Sequence, residues 1–192
     1  MTLPRLIGLY SPAPGSGKST VASYYCARGY HIVSLAATMK KMCRTFLLAQ
    51  GIQPAQVDYY LYDDKHAVIP ELGVTARHLL QRLGTDWGRD CIHPDVWIRT
   101  WERQVELKLS VGTPVVCDDI RRSNEAEALL RLGGELWYIH RPEVVRTTDH
   151  PSEGELDNFP TFHRRITNDG TLINLYSRLP AVLTPECEVV AS

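Results

Sequence analysis

Nine consecutive residues, Pro12-Ala13-Pro14-Gly15-Ser16-Gly17-Lys18-Ser19-Thr20, gather glycines, a lysine and hydroxyls into one short stretch. Those residue types at that spacing suit one task, which is to surround a phosphate. Glycines let successive backbone N–H groups turn inward, and a helix that begins at the lysine adds its unpaired N–H groups and positive dipole end. Lys18 then reaches the β- and γ-phosphates of a nucleotide, and the Ser19 hydroxyl can ligate Mg²⁺. The pattern G-x-x-x-x-G-K-[ST] asks for glycine at position 12, where this chain has Pro12. Proline holds φ at about −65° and lacks an N–H, so the entry to the loop takes a different shape. A plain glycine-rich turn is the alternative. The apolar run Leu6–Tyr10 before it and the helical Val21–Cys26 after it weigh against that.

Arginines form the second set. Arg77, Arg89, Arg121, Arg141 and Arg146 fall at predicted strand ends or in irregular segments. Taken singly, each is most simply a solvated surface charge. Together they are what phosphoryl transfer between two anions requires around the moving group. An acceptor that is itself a phosphate arrives ionised and needs no strong base, which agrees with the lack of an evident Ser-His-Asp or Cys-His arrangement. The strings N-K-x-D and D-x-x-G, which a switch GTPase would use, do not occur.

These residues need elements to hold them. The apolar run Leu6–Tyr10 predicts a strand, and Lys18 to about Arg28 a helix ended by Gly29. His31–Leu35 reads as a short strand and Ala36–Gln50 as a helix closed by Gly51, with Met39, Met42, Cys43, Phe46 and Leu47 as its core stripe. Gln53–Gly73 is irregular, and its length suggests a functional excursion or an unrecognised helix. Thr75 caps a helix over Ala76–Leu83, and Gly84–Arg89 reads as a polar turn bracketed by glycines. A helix from Pro94 to Gly112 carries Trp97, Trp101, Val105 and Leu109 on one core stripe. Pro114–Cys117 is continuously apolar, as a strand buried on both faces should be, and delivers Asp118 and Asp119 to its end. Ser123 or Asn124 caps a helix to Leu132. The strand Leu136–Ile139 delivers His140 and Arg141, residues 142–162 read as a lid, and a last strand His163–Thr167 precedes a helix over Thr171–Leu179. Strands alternating with helices predict an α/β fold, a three-layer P-loop architecture with about five parallel strands, helices on both faces and a lid.

Length and composition set the outer limits. The chain of 192 residues is 44% hydrophobic and suits one domain over residues 1–180, with an excursion at about 52–93, to which the resemblance given next assigns acceptor binding, and a loosely held tail over 181–192. A net charge of −1 offers no general attraction to nucleic acid or membrane, so partners should be small nucleotides, with self-association into a homodimer left open. No stretch has the length of a membrane span or the form of a signal peptide, which predicts a cytoplasmic protein. Five scattered cysteines, Cys26, Cys43, Cys91, Cys117 and Cys187, read as reduced packing residues, and the histidines lack zinc-site spacing.

Several separated motifs then resemble one family. Arg77 with Leu79-Leu80-Gln81-Arg82-Leu83-Gly84-Thr85-Asp86-Trp87-Gly88-Arg89 is similar to a stretch of the deoxynucleoside monophosphate kinases known largely from bacteriophages. So are Asp118-Asp119-Ile120-Arg121 with Asn124-Glu125, Ile139-His140-Arg141-Pro142, and His150-Pro151-Ser152-Glu153. The ending Ile166-Thr167-Asn168-Asp169-Gly170-Thr171-Leu172 also resembles dephospho-coenzyme A kinases. Pro12 departs from the family pattern, as does Ala37, where a carboxylate is expected.

The resemblance implies transfer from ATP, with Mg²⁺, to a deoxynucleoside monophosphate, serving phage DNA synthesis in a host cytoplasm. By position, Ala13, Pro14, Gly15, Ser16, Gly17, Lys18, Ser19 and Thr20 would bind the donor phosphates. Lys18, Arg121 and Arg141 would serve catalysis, with Arg146 on the lid side and Asn168 near the adenine. Ser19 would ligate Mg²⁺, with Asp118 or Asp119 holding it through water. Arg77, Gln81, Thr85, Asp86, Trp87 and Arg89 would grip the acceptor, together with Asp119, Arg121, Ser152 and Glu153. Trp87 either stacks on the base or packs internally. Dephospho-coenzyme A kinase, or a non-catalytic ATP-binding regulator, are the alternatives.

Overall fold

The computed structural model describes residues 3–144 and 154–181. In chain order the elements are β1 (Leu6–Tyr10), α1 (Lys18–Cys26), β2 (His31–Ile32), α2 (Ala37–Ala49), α3 (Pro54–Asp58), β3 (Val68–Ile69), β4 (Val74–Thr75) and α4 (Ala76–Gln81). There follow α5 (Val96–Ser110), β5 (Val115–Cys117), α6 (Ser123–Arg131), β6 (Glu135–His140), β7 (Arg164–Thr167) and α7 (Leu172–Ser177). Two compact units result, one from residues up to Val33 and from Val105 onward, the other from Ser34–Gln104.

The first unit is built on a sheet ordered β2-β5-β1-β6-β7, in which each neighbouring pair is parallel. β1 lies at its centre, and all five of its residues are buried, as are all three of β5. Continuous apolar runs are what strands covered on both faces require. On one face, Val21, Ala22 and Tyr25 of α1 and Leu175 of α7 join Ile7, Leu9, Trp137, Ile139 and Ile166 in one core cluster. Burial pushes the Tyr25 hydroxyl up, so it stays protonated, and it donates to the Pro180 carbonyl at 3.0 Å. On the other face α6 sits so close to β1 that a Cβ at Gly8 would lie 2.4 Å from Leu129 Cδ2. Glycine is there to admit the helix.

Because the strands are parallel, β1, β5, β6 and β7 release their next residues along one edge. That edge receives Ser11, Asp118, Arg141 and Asn168 in turn. From β1 the chain moves to β2 and β5 on one side, then to β6 and β7 on the other, so the end of β1 is the point where ligands bind in such sheets.

In the second unit, Cys43, Leu47, Ile52, Val57, Tyr60, Leu61, Ile69 and Ala76 form a separate core. Burial pushes the Cys43 thiol up to about 11. The expected irregular segment Gln53–Gly73 contains α3, a widened helical turn over Tyr59–Asp63, and β3, which pairs antiparallel with β4 just beyond it. Thr75 caps α4 as expected, its hydroxyl accepting from the His78 N–H at 3.1 Å. The expected stripe of α2 is corrected: Cys43 and Leu47 are buried, whereas Met42 and Phe46, one residue earlier in each turn, are exposed.

Three other expectations also change. β2 is only His31–Ile32. The cap of α6 is Arg122 rather than Ser123 or Asn124, with the Glu125 carboxylate reaching back to the Arg122 N–H at 3.1 Å. The largest correction is at Gly84–Arg89, which belongs to a helical segment of wide, π-type turns over Arg82–Ile92. The two glycines resemble turn punctuation but serve packing. The buried Trp97 indole donates to the Gly84 carbonyl at 2.8 Å, and a Cβ at Gly88 would meet the same ring at 2.4 Å.

Gly88→Ala should therefore destabilise the protein by about 1–3 kcal/mol, since a buried, hydrogen-bonded indole cannot swing aside. Urea unfolding followed by tryptophan fluorescence measures it. An unchanged midpoint would show that Trp97 has room to move.

Candidate active site

The end of β1 leads into the loop from Ser11 to Gly17, and α1 begins at Lys18 as the sequence predicts. Gly15 and Gly17 have φ of 73° and 99°, values that only glycine adopts without strain. Alternating handedness of this kind turns successive N–H groups to one side and makes an anion-binding concavity. A Cβ at Gly15 would meet nothing within 4 Å, so the loop is open there.

The loop with proline in place of its first glycine is tied internally. The Ser11 hydroxyl donates to Ser16 Oγ at 2.6 Å, and the Ser16 hydroxyl donates to the Ala13 carbonyl at 2.6 Å. Both serines are buried. The Ser16 side chain thus faces inward, and only its backbone remains for a phosphate. Asn168, at the end of β7, donates from its side-chain amide to the Ser16 carbonyl at 3.1 Å and is itself buried.

An open cavity at this edge is lined by Tyr10, Ser11, Pro12, Ala13, Pro14, Lys18 and Arg121. It brings together the loop lysine and an arginine more than a hundred residues later, joined only by the fold. The turn carrying Arg121 is anchored by the buried Glu125 carboxylate, which accepts from the Arg121 and Arg122 N–H groups at 2.8 and 3.1 Å. Ser19 Oγ stands 3.5 Å from Asp118 Oδ2. Hard oxygen donors at that separation, at the mouth of a phosphate loop, fit Mg²⁺ that keeps several of its waters. No group of three or more His, Cys, Asp or Glu side chains suited to a metal occurs among the described residues.

Asp119 turns the other way, with its Oδ1 3.3 Å from the Cys117 Sγ. Burial pushes the Cys117 thiol well up, so it remains protonated and donates to that carboxylate. Arg141, half-buried, lies 3.7 Å from Glu143.

In the second unit, Arg77, Gln81, Thr85 and Trp87 are exposed and Arg89 is half-buried. Asp86 is paired with Arg82, whose pKa that carboxylate raises. Trp87 lies 6.1 Å from Trp97, ring to ring, and stays 44% exposed. Arg146, Ser152 and Glu153, with most of the expected lid and the tail from residue 182, lie outside the described residues.

Three residues at this edge were not singled out from the sequence, and a fourth, Glu125, entered only as part of a family motif. Ser11 partners Ser16, and Glu125 holds the Arg121 turn. Glu155 accepts from the Ser123 N–H at 2.9 Å, and Asp157 accepts from the Tyr10 hydroxyl at 2.7 Å. Glu125 had a signal, since an acidic residue in the third position after a cap is the capping-box pattern. Glu155 and Asp157 make long-range contacts with none, and the Ser11–Ser16 bond is a local one within the loop.

Pro12→Gly should preserve triphosphate binding, because the serine pair and Asn168 hold the loop and position 12 sets only its approach. Calorimetric titration with a non-hydrolysable triphosphate tests it. A large loss would show that the rigid proline itself maintains the loop.

A family model described as deoxynucleotide monophosphate kinase matches residues 30–179. It begins past the phosphate loop, so the loop's assignment stands on its own geometry. A provisionally named deoxynucleotide monophosphate kinase of Acanthamoeba polyphaga mimivirus is 35% identical over 187 residues, covering 91% of this chain and 93% of the viral one. Among solved structures, TT1252 from Thermus thermophilus has a TM-score of 0.50 at 23% identity, over 91% of this chain and 93% of that one, a likeness of fold alone. With an α/β fold, a glycine loop on its central strand and a family match spanning most of its length, the chain belongs to the deoxynucleotide monophosphate kinase family and is a phosphotransferase.

Proposed function

We propose that the protein moves the terminal phosphoryl group of ATP to a deoxynucleoside 5′-monophosphate, giving ADP and the deoxynucleoside diphosphate. The observation that carries this reading is the meeting of Lys18 and Arg121 on one cavity above the glycine loop. One cation belongs to the donor loop, and the other follows the strand that bears the metal-side carboxylate. An oxygen of the acceptor phosphate attacks the γ-phosphorus, and the bond to the bridging oxygen breaks, leaving that oxygen on ADP. No general base is needed, because the attacking oxygen is already ionised. Lys18 and Arg121 stabilise the charge on the transferring group, and Arg141 contributes from the end of β6.

Mg²⁺, when bound, neutralises charge on the donor phosphates. Ser19 Oγ is its direct ligand in this reading, and Asp118 orients its water. The acceptor is assigned to Arg77, Gln81, Thr85, Trp87 and Arg89 of the second unit, and the exposure of the first four supports the assignment. The same reading places the enzyme in nucleotide supply for viral DNA synthesis, supported by the mimivirus relative. No helix among the described residues is long and apolar enough to cross a membrane.

ADP release measured against a panel of monophosphates tests the proposal. Turnover should require a deoxynucleoside monophosphate and Mg²⁺. Turnover with dephospho-coenzyme A instead, or ATP binding with no transfer to any acceptor, would refute it. Lys18→Ala should lower kcat by at least about a hundredfold in a folded protein. Arg89→Ala should lower kcat/KM for the acceptor by about one to two decades, as expected for a lost charge-assisted bond to phosphate. ATP affinity without acceptor should not change. Weaker ATP binding with unaltered acceptor kinetics would move Arg89 to the donor side.

A further inference from the structure

We infer that Asn168 is a positioning residue which holds the phosphate loop in its binding shape, and that it does not read the adenine base. The inference rests on the assignment of the loop to a triphosphate donor. Its evidence lies in how Asn168 is fixed and in where its amide points.

The residue is fixed on every side. Its backbone N–H donates to the His140 carbonyl at 2.6 Å, which ties the end of β7 to the end of β6. Its two neighbours are clamped by one side chain from the end of α7: the Arg178 guanidinium donates to the Thr167 carbonyl and, at 2.6 Å, to Asp169 Oδ1. That contact holds the Asp169 carboxyl below the usual carboxylate range. These hydrogen bonds hold the turn in place.

The side chain of Asn168 is 8% exposed and points beneath the loop. A carbonyl oxygen only accepts, so the NH₂ end of the amide must face Ser16 O, 3.1 Å away. The same nitrogen lies 2.6 Å from where a Cβ on Gly17 would sit. Gly17 is thus required twice, once for its φ of 99° and once to admit this amide. With Ser16 held by Asn168 at its carbonyl and by Ser11 at its hydroxyl, the peptide before Gly17 has one orientation available. That peptide lies where the chain turns its N–H groups toward the phosphates. A buried amide engaged with the underside of the loop is badly placed to meet a base that approaches from solvent.

The test uses two probes that share phosphates but not a base. Binding of ATP and of inorganic tripolyphosphate is titrated calorimetrically to wild type, Asn168→Ala and Asn168→Asp, without acceptor, and thermal unfolding is recorded alongside. Asn168→Ala should weaken both probes by a similar factor, about five- to tenfold. Asn168→Asp should weaken them further, because a carboxylate cannot donate to Ser16 and repels the ligand. In turnover, KM for ATP should rise while KM for the acceptor stays.

Loss of ATP binding with tripolyphosphate unaffected would make Asn168 a base contact and overturn the inference. So would a lowered unfolding temperature with both affinities unchanged, the mark of a merely structural residue. If Asn168→Ala is not folded, Asn168→Ser keeps a shorter donor in the same space and should show the same parallel loss in milder form. Failure of wild type to bind either probe would instead refute the triphosphate assignment of the loop.

Discussion

A ring of backbone N–H groups around a phosphate is a strained thing to keep in readiness, because each N–H turned toward the ligand is withheld from the chain's own hydrogen bonds. In this protein the constraint is met at two peptides. Ser16 is held at its hydroxyl by Ser11 and at its carbonyl by Asn168, and Gly17 takes the left-handed conformation that starts α1. The fully buried β1 fixes where the loop begins, and the first turn of α1 fixes where it ends. With both ends set and the middle tied from beneath, the loop is held by the chain's own hydrogen bonds.

The parallel sheet turns that local constraint into a site. Strands running the same way release their following residues on one edge, so residues distant in sequence become neighbours there. Asp118 comes within 3.5 Å of Ser19, and Arg121 lines the same cavity as Lys18. Each arrival is secured by a group that does no chemistry. Glu125 holds the turn bearing Arg121, and the Arg178 clamp holds the turn bearing Asn168. Rigid supports matter here because phosphoryl transfer asks for positioning and charge rather than for a reactive side chain.

The second unit solves its packing differently. Its core is small, and its wide helical segment is matched to one indole. Gly84 and Gly88 present bare backbone to Trp97, which returns a hydrogen bond to the Gly84 carbonyl. The outward side of that segment carries Thr85 and Trp87 into solvent, next to the exposed Gln81 at the end of α4. The glycines suggest a polar turn, and the chain instead forms a helical segment there.

Taken alone, the sequence determined the features that depend on near neighbours. Those include the phosphate loop, the start of α1 at Lys18, the Thr75 cap, the continuously apolar β1 and β5, and the run of motifs that marks the family. Each is encoded within a few residues, by spacing, by apolar periodicity or by a capping side chain. What depended on distant parts of the chain could not be read there. Glycine next to threonine and aspartate looks like a turn until a tryptophan thirteen residues on is found packed against it. Nothing near Asn168 in the sequence points to the loop 152 residues earlier to which its amide donates. Met42 and Phe46 look like core until the helix is rotated by its actual neighbours. Only the tertiary structure decides such roles, because a side chain's role there is set by which distant atoms fill the space around it.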